Sequence, residues 1–417
     1  MAIVKPFRGL RTPDNETCIE LSCLPYDVMN SEEAAQMAHG KPKSLLHVTR
    51  AEIDCPEGVD CHSEVVYNKS VANFADFIAK GCLVMEEKPC FYIYAQTMDG
   101  RTQYGIVGCA ACEDYWNGII KKHELTRIEK EEDRMVLTRY VKANLEPVFF
   151  AYKAVPEIDA IVENVTATAP DYDFVAEDGF GHKFWVVKDE QMNSDIEYYF
   201  ATKVPYCYVA DGHHRTAAAA RIGREFAAAN PNHTGNEEYN FFMAVHFPDS
   251  QLKIMDYNRV VKDLNGMSEE AFMARVMEHF DVECMGEEIY SPSRLHEFSM
   301  YLSGVWYKLT AKEGRYDESD PIGVLDVSVL SNYLLAEILD IRDLRTSNRI
   351  DFVGGIRGLG ELKRRVDSGE MRVAFALYPV SMEQLINIAD SGAIMPPKTT
   401  WFEPKLRSGL VIHRIDE

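Results

Sequence analysis

The sequence predicts a mixed α/β fold, α+β in its ordering, whose sheet combines parallel and antiparallel pairs. Three observations carry this. Short apolar runs rich in β-branched and aromatic residues alternate with stretches of helical spacing along the whole chain. Two pairs of such runs are joined by short turns of hairpin type. The apolar run at residues 204–210 passes through Asp211-Gly212-His213-His214-Arg215-Thr216 directly into the alanine-rich stretch 217–221, the strand-to-helix junction at which α/β proteins hold ligands.

Taken in order, residues 3–10 read as a strand or extended lead-in and 19–24 as a second strand, ending at Pro25-Tyr26-Asp27-Val28. Asn30 with Glu33 three residues on has capping-box spacing and opens a helix, so Glu33 is as readily structural as catalytic. Residues 45–48 read as a strand, followed by Arg50 and a turn-rich loop. Residues 70–80 place Val71, Phe74, Phe77 and Ile78 on one helical face. Residues 91–96 and 103–111 form a hairpin through Met98-Asp99-Gly100-Arg101, where Asp-Gly suits a tight turn. Residues 114–122 read as helix and lead to His123-Glu124-Leu125-Thr126. The charged stretches 129–133 and 139–144 read as an exposed helix face with solvated charges.

Strands at 148–152, 172–177 and 182–187, with a helix from Pro156, precede the Asp211–Thr216 box. Residues 241–247 and 252–257 read as a second hairpin turning at Pro248-Asp249-Ser250. A boundary is expected near Leu264-Asn265-Gly266-Met267, giving a ligand-binding region 1–265 and a C-terminal lobe 266–417 that packs back on the core. In that lobe 306–310 and 372–378 read as strands, 329–338 and 359–366 as helices. Gly354-Gly355-Ile356-Arg357-Gly358-Leu359-Gly360 lacks dinucleotide-fingerprint spacing and reads as a turn before a helix, with Arg357 alone suggesting more.

Composition narrows the functional classes. The chain has 417 residues, 46% of them hydrophobic and 11% aromatic, ample for packed cores. With 44 basic and 66 acidic residues the net charge is −22; this disfavours nucleic acid and anionic membranes as partners while leaving room for a local basic pocket. No run approaches the ~20 apolar residues of a membrane span, and the start lacks a secretion signal, so a cytoplasmic protein is expected. The ten cysteines are expected to be free thiols. Cys109 and Cys112 have the spacing of a metal or redox pair but fall in an apolar run that reads as buried strand, where packing is the better reading. Cys55 and the Cys61-His62 pair read as solvated loop residues, and no dedicated metal site is expected.

The box carries the chemistry. Gly212 permits a tight turn and close approach of the backbone to a ligand, and the helix start supplies unpaired N–H groups and a positive dipole end. Arg215 adds a planar clamp for oxyanions. Asp211, His213 and His214 bring acid–base groups to the same spot. The plainer reading makes Asp211 a helix cap and the histidines surface residues.

Asp211-Gly212-His213-His214-Arg215 resembles the phosphate-binding box of the ParB/sulfiredoxin-like superfamily, closest to the Asp-Gly-His-x-Arg form of free serine kinases. Pro25-Tyr26-Asp27-Val28, His47-Val48-Thr49-Arg50, His123-Glu124-Leu125-Thr126 and the Met395–Lys405 stretch with Pro396-Pro397-Lys398-Thr399-Thr400-Trp401 resemble the landmarks of the bacterial family DUF-1015. The resemblance implies a ParB/sulfiredoxin-like core enlarged by insertions.

It also implies a kinase that transfers a phosphoryl group from ATP or ADP, with Mg2+, to the hydroxyl of free L-serine. On that reading Gly212, His213, His214, Arg215, Thr216 and Lys398 bind nucleotide phosphates. Asp211 and His213 also act in catalysis. Free serine kinases use a glutamate near the N-terminus as general base, which points first to Glu32 and then to Asp27. Arg50, His123 and Glu124 are candidates for holding the acceptor. Partners are then a nucleotide and a small molecule, and a homodimer is compatible with this. An Arg215→Ala change is expected to remove nucleotide affinity with little effect on the melting temperature. Two alternatives come from other classes. A ParB-like nucleotide switch lacking transfer chemistry would show a basic helix-turn-helix, which this acidic chain lacks. A sulfiredoxin-like reductase needs a cysteine in the box, where this chain has Gly212-His213.

Overall fold

The computed structural model describes residues 1–416. The chain divides into two compact units: Met1–Leu252 together with the chain from Pro404 onward, and Lys253–Glu403. The sequence reading drew its boundary some residues later, near 264–267, and left the tail in the second lobe; the tail returns to the first unit through contacts made far along the chain.

The first unit is built on a nine-stranded mixed sheet, as expected of the fold class. Its order runs Ile120–Lys121, Cys207–Asp211, Val148–Tyr152, Phe241–Pro248, Arg101–Ala111, Tyr92–Met98, Gly181–Val186, Tyr172–Val175, with Val4–Lys5 pairing on Arg101–Ala111. Cys207–Asp211 is parallel to Ile120–Lys121 and antiparallel to Val148–Tyr152, which is itself parallel to Phe241–Pro248. Apart from Asp211 and His246 these central strands are apolar, because both faces are covered. Ile93, Ile106, Val148, Phe150, Val209 and Phe242 pack with Ile158, Ile196 and Phe200 of the helices Pro156–Thr166 and Glu190–Lys203. Each such side chain contributes ~1.5–3 kcal/mol by leaving water. The first hairpin turns through Asp99 and Gly100, both at positive φ (52° and 76°), the geometry that selects Asp-Gly. A second cluster, with Leu21, Leu46, Phe74, Phe77, Leu137 and Ile412, packs under the small sheet formed by Val84–Met85, Gly9–Arg11, Ile412–Arg414 and Ala143–Asn144.

Several elements differ from expectation. Residues 19–21 close the helix Asn15–Leu21, capped by the Asp14 carboxylate accepting from the Thr17 amide at 2.7 Å, and of the rest Cys23 makes only an isolated bridge to Ser408. Residues 45–48 form the single helical turn Leu46–Thr49. Both runs are too short for periodicity to separate strand from helix. The helix expected over 114–122 is Cys112–Trp116; Gly118 at φ 72° ends it, and Ile120–Lys121 joins the sheet. Cys112 therefore opens a helix while Cys109 stays in the strand, both buried. The second hairpin does not form, since Ile254–Met255 pairs with Trp401–Phe402 in the other unit. The charged helix Ile128–Val141 packs between Glu64–Ala79 and His213–Ala229. Glu131 is buried in consequence and the Arg134 side chain is only 11% exposed, so this face is not simply solvated.

The second unit holds a six-stranded antiparallel sheet in the order Phe280–Gly286, Val305–Ala311, Glu297–Leu302, Val373–Leu377, Tyr257–Val261, Ile350–Gly354. Val260, Tyr301, Trp306, Leu362 and Ala374 form its core with the helix Gly358–Asp367. The glycine-rich turn is a packing device: a Cβ on Gly355 would lie 2.2 Å from Asp256 Oδ1 and one on Gly354 2.8 Å from the Trp401 ring, while Arg357 is exposed. No helix among the described residues is long and apolar enough to cross a membrane.

Candidate anion-binding site at the strand-to-helix turn

The strand Cys207–Asp211 ends at Gly212, which at φ 90°, ψ 34° reverses the chain into the helix His213–Ala229 with no side-chain cap. The first amide to bond back along this helix is that of Thr216, to the Gly212 carbonyl at 2.9 Å. The amides of His213, His214 and Arg215 are thus ones the helix cannot satisfy, at its positive dipole end. A Cβ on Gly212 would sit 2.9 Å from Val148 Cγ1 and 3.3 Å from Arg215 Nε. Gly212→Ala is therefore expected to weaken oxyanion binding at the turn by about tenfold or more, since added strain of ~1–3 kcal/mol falls on the turn itself. Calorimetric titration of that variant with ATP checks this; unchanged affinity would show that the turn's backbone does not meet the ligand.

Asp211 faces back from the turn. Its Oδ1 accepts from the Gly212 amide at 2.8 Å and its Oδ2 lies 3.1 Å from Lys405 Nζ. Burial pushes this carboxyl up, but Lys405 and then Arg215 outweigh it and hold it at about 2. Lys405 is fixed in turn by its own carbonyl, which accepts from the buried Gln96 side chain at 3.0 Å.

Arg215 is the third residue of the helix, with a side chain only 9% exposed. Nη1 donates to the Pro147 carbonyl at 2.6 Å, Nη2 stands 3.8 Å from Asp27 Oδ2, and Nε is buried without an acceptor. Burial opposes its charge, yet Asp27, Glu146 and Asp211 keep it a cation. A buried guanidinium N–H lacking an acceptor is costly in a folded protein, and an oxyanion would satisfy it. Beneath it Glu146, 6% exposed, accepts from the Tyr26 amide at 2.8 Å and lies 4.0 Å from Arg134. Arg134 stacks on the Tyr26 ring at 3.8 Å and bonds Asp133 at 2.9 Å. Burial pushes the Glu146 carboxyl up against the pull of Arg215 and Arg134. Arg134, Glu146 and Arg215 also line a cavity of about 40 Å³, room for a few waters.

The histidines are neutral at pH 7. His213 and His123 meet edge to face, ring centroids 4.5 Å apart, both buried. Burial pushes His123 down to about 4 against the pull of Asp211, and burial followed by His123 pushes His213 well below its ordinary value. His213 Nδ1 is 3.9 Å from Glu124, and its Nε2 is buried with no hydrogen-bond partner. His214 Nε2 accepts from the Arg127 amide at 3.1 Å, which puts its proton on Nδ1 and ties the 123–127 loop to the turn. These imidazoles are hydrogen-bonding groups here, not cations.

Of the residues singled out from sequence, Asp27, His123, Glu124, Asp211, Gly212, His213, His214 and Arg215 come together. Thr216 is fully buried with its hydroxyl donating to the Gly212 carbonyl at 3.0 Å, so it presents nothing to a ligand. Glu32 is exposed on the first turn of Ser31–Ala38, and Glu33 closes the capping box on Asn30. Arg50 pairs locally, 3.0 Å from Glu52 and donating to Ser31 at 3.1 Å. Lys398 belongs to the second unit, its Nζ 5.5 Å from the Tyr257 ring centroid. Sequence reasoning assigned no role to Arg134 or Glu146, and to Lys405 only a place at the end of the tail motif, a usable signal; Arg134 follows a charge run directly, and Glu146 carried no signal.

The chain belongs to the family described as Protein of unknown function (DUF1015), whose pattern matches residues 4–328. No curated protein sequence matches it. Among solved structures it is similar to a glutamate-to-alanine variant of a free serine kinase in complex with AMP, at TM-score 0.36 and 12% identity over 78% of this chain and 93% of that one. It is similar also to a conserved hypothetical protein from Pyrococcus furiosus (TM-score 0.33, 13% identity, 72% and 90% covered). A third is SbnI with C-terminal truncation from Staphylococcus aureus (TM-score 0.35, 10% identity, 73% and 87% covered). Likeness at this level transfers no chemistry.

Proposed function

We propose that this protein is a phosphotransferase that uses ATP, or ADP in its place, with magnesium to phosphorylate the hydroxyl of free L-serine, giving O-phospho-L-serine in the cytoplasm. The observation that carries the reading is Arg215, a buried cation with an unsatisfied Nε–H at the start of an uncapped helix. Phosphoryl transfer is catalysed mostly by positioning and charge neutralisation, and the turn offers both. The amides of His213 to Arg215 and the guanidinium cradle the phosphates. Lys405 turns from Asp211 to the phosphate oxygens. Neutral His213 donates a hydrogen bond as charge shifts to the leaving oxygen.

The serine oxygen attacks the terminal phosphorus, the bond to the bridging oxygen breaks, and the nucleotide product, ADP from ATP or AMP from ADP, leaves with that electron pair. The serine hydroxyl proton passes to Asp27, the carboxylate facing Arg215. Glu32, favoured from sequence, stands exposed instead. Magnesium would neutralise phosphate charge. Near the turn the fit is to an ion carried by the phosphates with one carboxylate, Asp211 released by Lys405, rather than to a protein cage. The one three-residue cluster of ligating groups among the described residues, Glu278, His279 and Glu337, lies in the other unit with His279 bonded to Glu337 at 3.0 Å.

Isothermal titration with Mg-ATP and Mg-ADP, followed by assay for phosphoserine, tests the proposal. Binding of at least one nucleotide and appearance of phosphoserine are expected. No binding of either removes the reading; binding without transfer to any hydroxyl compound leaves a nucleotide switch.

A further inference from the structure

Two residues beyond Lys405 the tail enters a second pocket of the first unit, of about 240 Å³, lined among others by Cys23, Lys41, Ser44, Glu177, Asp178 and Arg407. That is below the ~300–1,000 Å³ of drug-sized sites and suits a molecule of a few heavy atoms. Its charges alternate. Arg407, 10% exposed, pairs with Asp178, and Lys41 pairs with Glu177 at the rim. Arg407 Nε is buried with no hydrogen-bond partner.

Two backbone links join this pocket to the anion site. The Lys405 carbonyl accepts from Gln96 at 3.0 Å and the Arg407 amide donates to the Tyr94 hydroxyl at 3.2 Å. Tyr94 and Gln96 are alternate, buried residues of the strand Tyr92–Met98, on one face of the sheet. The tail is thus held with Lys405 at Asp211 and Arg407 in the pocket, no more than ~7 Å of backbone between them. On the other side, Cys23 and Leu24 line the pocket three or four residues before Asp27, which faces Arg215.

We propose that this pocket binds the phosphoryl acceptor as a small zwitterionic α-amino acid, its carboxylate on Arg407 and Lys41 and its ammonium on Asp178 and Glu177. This rests on the phosphotransferase reading for the word acceptor, though not for the binding itself. A ligand carrying both charges exchanges with the two ion pairs without leaving any group unpaired, whereas a ligand of single charge strands one partner. Rim pairs such as Lys41–Glu177 contribute little on their own, so their opening costs little. Arg407 suits the carboxylate because a guanidinium binds it through two parallel hydrogen bonds.

The test is calorimetric titration of the full chain with L-serine, ethanolamine and glycerate, which lack respectively nothing, the carboxylate and the ammonium. L-serine is expected to bind at least about tenfold tighter than either, one charge-assisted contact being worth that factor. Glu177→Gln, at a side chain 78% exposed, and Lys41→Met alter the rim without disturbing the fold. Each is expected to weaken L-serine several-fold and Arg407→Lys more so, with ATP affinity unchanged in all three. Should Arg407→Lys fail to fold, the rim variants decide. Equal binding of the three probes, or wild-type serine affinity in the variants, overturns the proposal. Failure of wild-type protein to bind nucleotide while still selecting L-serine would overturn the phosphotransferase reading and leave the pocket standing.

Discussion

Arg215→Ala is expected to abolish measurable ATP and ADP binding, a loss of at least about 100-fold, since a charged hydrogen bond lost from a buried site is worth ~1.5–3 kcal/mol and Arg215 offers more than one. Stability falls as well, against the expectation of an unchanged melting temperature. The guanidinium is buried, donates to Pro147, and offsets the charges of Asp27 and Glu146. Removing it takes away one of the two cations that offset the buried Glu146 carboxylate and leaves only Arg134, 4.0 Å away; weakening a buried ionic cluster in this way costs up to ~3–5 kcal/mol. A second substitution separates the two effects. Arg215→Ala with Glu146→Gln should regain much of the lost melting temperature, because the poorly offset charge is gone, and none of the nucleotide affinity. Thermal unfolding beside titration reads both quantities. Recovery of nucleotide binding in the double variant would mean that the single change acts through folding alone.

Asp27→Asn should leave nucleotide affinity intact, or raise it slightly by removing negative charge beside the phosphates, while lowering the rate of transfer by ~10²–10⁴, the usual contribution of a positioned proton acceptor. Its side chain is partly solvated on the turn Tyr26–Val28, so the amide is accommodated without a buried mismatch. Glu32→Gln is the control, since its exposed position predicts wild-type kcat. Steady-state phosphoserine formation in the two variants ranks the carboxylates, and a larger loss in Glu32→Gln would return the general-base role to that residue.

The site was legible where its geometry is local. A glycine forced to positive φ between an apolar strand and an alanine-rich helix has few other uses, and the adjoining arginine and histidines mark what meets there. The Asp99-Gly100 hairpin and the Asn30–Glu33 capping box were legible for the same reason, each set within four residues. What escaped is set by tertiary contact. Lys405 reaches Asp211 across 194 positions, and nothing near either residue encodes that meeting. Glu131 reads as solvated because a charge run looks alike whether or not a neighbouring helix covers one face, and Arg134, directly after that run, carries no signal of its own. The runs at 19–24 and 45–48 are shorter than two helical turns, so the same apolar residues satisfy either period. The boundary suffered likewise: the turn at Leu264–Met267 lies inside the second unit, and the return of the tail leaves no local trace.

That return bears on biosynthesis. Translation delivers the strand, turn and helix of Cys207–Ala229 about halfway through the chain, but Lys405 and Arg407 emerge only after the whole of Lys253–Glu403 has been made. A nascent or prematurely terminated polypeptide therefore carries Asp211 without Lys405 and the second pocket without Arg407. Neither the turn nor the second pocket has its full set of charges until the stretch through Arg407 has been made.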